Sequence, residues 1–88
     1  MGLRLQGELA AHGVSPDIAL ASAHYYQAIS LASQLGMRPL VAHCHFGLGK
    51  LYRRADNREQ ARQQLSTAAA LFREMGMTYW LDQAAVEI

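Results

Sequence analysis

The feature that most constrains this chain is an internal repeat. Shifting the sequence by forty positions lays Ala21 on Ala61, Tyr25 on Leu65, Ala28 on Ala68 and Leu31 on Leu71. The same shift lays Leu35-Gly36-Met37 on Met75-Gly76-Met77. Residue size, spacing and stop signal agree together, which alanine richness alone does not explain. Periods of about 20 to 50 residues mark stacked supersecondary units that share a continuous core.

Punctuation divides the chain into five expected helices. Leu3 to about Ala11 reads as a short helix stopped by His12-Gly13. Ser15-Pro16 starts the second, because serine accepts from an orphan amide and proline suits the first helical position. That helix should run to Leu35, with Gly36 supplying the left-handed C-terminal residue. Pro39 opens the third, which runs to about Ala55. Asp56-Asn57 breaks it, and Asn57 with Gln60 three residues on has the form of a capping box. The fourth ends at Gly76, and Thr78 is placed to cap a fifth. Alanine, leucine, glutamine and arginine recur and only two prolines occur, so local propensity agrees with an all-α class. The expected architecture is one domain, 1–88, of stacked antiparallel helical hairpins. Segments 3–36 and 39–75 form the two hairpins, and 78–88 forms a terminal capping helix.

The third helix is apolar over most of its circumference. His45, Leu48, Gly49 and Tyr52 share one face, and Leu40, Cys44, Gly47 and Leu51 form another beside it. Such a helix needs neighbours on more than one side. Its glycines lower helix propensity by about 1 kcal/mol each relative to alanine, and close helix approach is the expected offset. The remaining arc holds His43, Phe46, Lys50, Arg53 and Arg54. Phe46, Lys50 and Arg53 are spaced i, i+4, i+7, so one extended segment could touch all three.

The run Leu48-Gly49-Lys50-Leu51-Tyr52, followed by Asp56-Asn57, Ala61, Leu65 and Ala68, resembles the tetratricopeptide repeat (TPR) signature. The chain departs from it in having His45 where tryptophan is common and Asp56 where glycine is usual. The repeat of forty also exceeds the usual length of about 34. The stretch from Leu35-Gly36-Met37-Arg38-Pro39 to Tyr52-Arg53-Arg54, with Met75-Gly76-Met77-Thr78-Tyr79-Trp80-Leu81, is similar to a narrower group. These are the C-terminal repeats of large bacterial signalling proteins that carry adenylate/guanylate cyclase-type or STAND ATPase domains. The resemblance implies a non-catalytic module for protein–protein interaction or packing, a segment of a larger cytoplasmic protein. In such arrays the third helix would line the concave groove, making His43, Phe46, Lys50, Arg53 and Arg54 the partner-binding residues. An aromatic anchor with flanking cations suits an acidic protein or peptide. The alternative for the same residues is a solvated basic edge, with Phe46 packed against the next helix.

Catalytic and metal chemistry find little footing. His43-Cys44-His45 are adjacent on a helix and point about 100° apart, so they cannot converge on one ion as a four-ligand zinc site requires. Cys44 lies on an apolar face, where a small buried hydrophobe is the expected role. Gly47 and Gly49 belong to a helix and not to a phosphate loop. No cofactor is expected. Tyr25, Tyr52 and Phe72 are expected in the core, with Tyr79 and Trp80 closing the last hairpin.

The net charge of +1 argues against nucleic acid as the main partner. Five of the eight basic residues nevertheless fall between Lys50 and Arg62. A second functional reading follows, a regulatory sensor binding a small anion or nucleic-acid phosphates through that edge. No run approaches the roughly 20 apolar residues needed to span a bilayer. Apolar side chains at the two ends, Leu3, Leu5 and Leu9 or Trp80 and Leu81, predict a tendency to dimerise.

Overall fold

The computed structural model describes residues 16–88. The expected helix from Leu3 to Ala11, the terminal leucines and the Ser15 cap lie outside the described residues. Within them there are four helices and no strand: α1 (Pro16–Gln34), α2 (Arg38–Arg54), α3 (Arg58–Glu74) and α4 (Thr78–Glu87). The class is all-α, and the helix bounds fall within a residue or two of the sequence signals.

One turn design is used three times. Gly36, Asp56 and Gly76 have φ of 70°, 62° and 67°, and they stand twenty residues apart. In each turn the next residue's amide reaches back to a carbonyl in the last turn of the helix. Met37 N donates to Ala32 O at 2.8 Å, Asn57 N to Tyr52 O at 2.9 Å and Met77 N to Phe72 O at 2.8 Å. A second bond runs from the left-handed residue itself: Gly36 N to Ser33 O, Asp56 N to Arg53 O and Gly76 N to Arg73 O. These paired bonds are a Schellman motif, which satisfies carbonyls the helix leaves orphaned.

Two expected caps are not formed. Asn57 precedes α3 without a side-chain cap bond, and Met77, not Thr78, is the N-cap of α4. The reason is backbone geometry. Met37, Asn57 and Met77 have ψ of 72°, 77° and 72°, set by the Schellman turn before them. A capping side chain normally relies on extended β-region backbone at that position to reach the N2 or N3 amide.

Each helix packs on the next. Arg38 at the start of α2 pairs with Glu74 at the end of α3, so these two run antiparallel. Arg53 and Glu87, near the ends of α2 and α4, also meet, so α2 and α4 run the same way. No residue of α2 from Val41 to Tyr52 is exposed, matching the expectation of neighbours on several sides. The glycines make this possible. A Cβ on Gly49 would lie 2.6 Å from Leu65 Cγ and 3.2 Å from its backbone nitrogen, and one on Gly47 would lie 2.7 Å from the Tyr25 ring.

The core sits between α2, α3 and α4. Ala42, Phe46, Leu65, Ala68, Ala69, Phe72 and Ala84 form one buried cluster, flanked by Leu71, Met75, Met77, Trp80 and Leu81. Small residues on α3 let the flanking helices approach, while Phe46, Phe72 and Trp80 fill the space between them. The chain measures 44 × 29 × 13 Å, so it is about two packed helices thick.

Candidate functional site

The five residues expected to form a binding arc are split in two by α4. His43 is half-buried, with its ring 4.5 Å from Trp80 at 83° and 5.2 Å from Phe72 at 69°. Phe46 is 7% exposed and meets Phe72 and Trp80 edge-on at 6.1 and 6.2 Å. Phe72 and Trp80 stack at 6.3 Å. Edge-to-face pairs match the positive rim of one ring to the negative face of another, and together they close the aromatic end of the arc. Phe46 is therefore a core side chain that α4 covers, and a docked segment could not reach it.

The basic end remains open. Lys50 Nζ lies 4.9 Å from the Phe46 ring centroid, a cation–π contact that ties the ammonium to the core. Arg53 Nη1 donates to Glu87 Oε1 at 2.5 Å and to Glu87 O at 3.2 Å. Its charge thus reaches both the carboxylate and the C-terminal carbonyls of α4, where a cation is favoured. Arg54 is exposed. Lys50, Arg53, Arg54 and Glu87 line an open cleft of about 430 Å³. A second cleft, about 470 Å³, shares Arg53 and Glu87 with the first and lies between the α2–α3 turn and the end of α4. Arg53, Arg58 and Arg62 line it together with Asp56, Leu65, Val86 and Ile88. Three of the five clustered basic residues noted in the sequence are brought together there, but Val86, Glu87 and Ile88 were not anticipated.

A polar chain across three helices was also missed. His45 Nδ1 lies 2.6 Å from Gln64 Oε1, which assigns the proton to Nδ1 because the amide oxygen can only accept. Gln64 Nε2 donates to Tyr26 Oη at 3.3 Å, and Tyr26 and Tyr52 hydroxyls are 3.4 Å apart. The hydrogen bond to Tyr52, together with burial, pushes the Tyr26 pKa up to about 12. His45 and Tyr52 share a helix face in the sequence, which was the one available signal. Their partners come from α3 and α1.

Cys44 is buried, and burial raises its thiol pKa, which disfavours the thiolate a nucleophile needs. Side by side on α2, His43 and His45 turn to different neighbours. Among the described residues no three His, Cys, Asp or Glu side chains gather as metal ligands, and no helix is long and apolar enough to cross a membrane. Comparison with protein-family models, curated proteins and solved structures found no match to this chain.

Proposed function

We propose that this chain is a non-catalytic module for protein–protein interaction or packing, built as a TPR-like stack. The observation that carries this reading is the pair of apolar outer faces. On α1, Leu20 and Leu31 are 61% and 58% exposed, and their separation of eleven residues places them on one face. On α4, Tyr79 is 66% exposed and Val86 79%. Isolated exposed apolar residues are ordinary, whereas aligned ones on α1 and α4, the first and last of the described helices, suit contact with further protein.

The repeat reading draws support from the three Schellman turns at twenty-residue intervals. It also draws support from the close approach of Gly49 to Leu65, two residues of the run that resembles the repeat signature. Resemblance of 35–54 and 75–81 to C-terminal repeats of bacterial signalling proteins supports a role as part of a larger regulatory protein.

Sedimentation velocity tests the reading. The chain should self-associate with rising concentration, and Leu20→Glu/Leu31→Glu or Tyr79→Glu should shift it to monomer without loss of helicity. A monomer at every concentration for the unsubstituted chain would reject the apolar faces as contact surfaces. The second reading, a sensor for small anions or phosphates, is favoured by the two arginine-lined clefts. It would then be the one to pursue.

A further inference from the structure

We infer that a second copy of this chain covers the outer face of α1, with the two α1 helices packed antiparallel across a two-fold axis. In this pairing Leu20 of each copy meets Leu31 of the partner subunit. Resting on the interaction reading above, the pairing specifies the partner and its orientation.

Charge supplies the first argument. α3 carries Arg58, Glu59, Arg62, Arg73 and Glu74, whereas Asp17 is the single Asp, Glu, Lys or Arg of α1. The forty-residue shift lays the five charges of α3 on Ile18, Ala19, Ser22, Ser33 and Gln34. It also lays Gln60, exposed on α3, on Leu20, which is 61% exposed. The two helices are repeat counterparts, so this replacement of every charge marks a difference between a face suited to water and one suited to cover. A strongly charged partner would find no counter-ion here and would bury its charges unpaired. A second α1 brings a face as neutral as the first.

Spacing supplies the second. Leu20, His24, Gln27 and Leu31 follow i, i+4, i+7 and i+11 and are all exposed, forming a stripe about three turns long. The stripe is symmetric about its own centre, with a leucine at each end and two hydrogen-bonding residues between. Antiparallel pairing sets each leucine against a leucine and His24 against Gln27, which is the self-complementarity that an isologous contact requires. Imidazole and amide can each donate and accept, so both keep hydrogen-bond partners when covered. Ala23 and Ser30 flank the stripe, also exposed, and their small side chains allow the helix axes to approach. Parallel pairing would instead bring Asp17 beside its own copy, a like-charge contact.

Disulfide trapping tests partner and orientation together, on the full chain and alongside sedimentation velocity. Leu20→Cys mixed with Leu31→Cys should give cross-linked dimer on mild oxidation, at about tenfold the yield of either variant alone. In the antiparallel pair, equivalent positions stand on the order of 16 Å apart along the axis, beyond the reach of a disulfide. Both leucines are exposed, so helicity should be unchanged, and Cys44 is buried. Cross-linking of each variant with itself would mark parallel pairing and overturn the inference. Equal yields in all three samples would mark random collision and do the same. Self-association without any cross-link would put the contact on another face, such as that of Tyr79, and overturn this inference while the interaction reading stood. A monomer at every concentration would overturn both and assign the α1 face to an occupant other than a second copy.

Discussion

At the scale of single residues, Gly36, Asp56 and Gly76 share one left-handed conformation, yet only two are glycine. A side chain in that region crowds its own backbone, and aspartate tolerates it better than most. Asp56→Gly should therefore stabilise the fold by about 0.5–1 kcal/mol, because the exposed Asp56–Arg58 pair it removes contributes little. Gly76→Ala should do the reverse by about 1 kcal/mol. Chemical denaturation midpoints of the two variants check both signs. Tyr26 gives a pH signature. Its pKa in the folded chain, about 12, lies above the ordinary value of 10.0. The group therefore adds stability that is complete below pH 10 and is lost as pH rises through about 12. Phenolate absorbance should show a late step near pH 12, and Tyr26→Phe should remove it.

Among the helices, the repeat exposes an asymmetry. Ala61, Leu65, Ala68, Ala69 and Phe72 of α3 are all buried, while of their forty-shifted counterparts on α1, Ala21, Tyr25, Ala28, Ile29 and Ala32, only Ala32 is. Similar faces thus reach different burial because α3 lies between α2 and α4, whereas among the described helices α1 has α2 as its main neighbour. Local stability should follow. Amide exchange in α3 should be slowed to nearly the global unfolding limit, and α1 should exchange faster despite its greater length. Gly49→Ala tests the tight α2–α3 contact. Helix propensity gains about 1 kcal/mol, but a Cβ 2.6 Å from Leu65 forces repacking that costs about 1–3 kcal/mol. Net destabilisation in a thermal melt is expected, and a rise in Tm would show that Leu65 can move aside.

Across the whole molecule, the radius of gyration of 14.0 Å exceeds the value of about 12 Å for a compact chain of this size. A flat stack of helices has much surface for little core, so its outer faces matter more than they would in a sphere. Those faces carry the apolar residues offered for self-association. Screening acts on charge pairs, so association through Leu20 and Leu31 should be largely insensitive to salt. Sedimentation repeated at low and high ionic strength checks this.

The sequence by itself determined the all-helical class, the turn positions at Gly36 and Gly76 and the need for α2 to be covered on several sides. Those features are written in short-range signals: propensity, a glycine that accepts positive φ, and apolar spacing within one helix. It indicated the glycine-mediated approach of helices but not which side chain each glycine would meet. The tertiary structure alone decided that Phe46 is core, that Arg53 is engaged by Glu87 and that His45, Gln64, Tyr26 and Tyr52 form one chain. Each depends on contacts between side chains 19 to 38 residues apart and on the rotation of whole helices about their axes. Position on a helix wheel says which residues share a face. Which neighbour that face meets is set by how the helices stack.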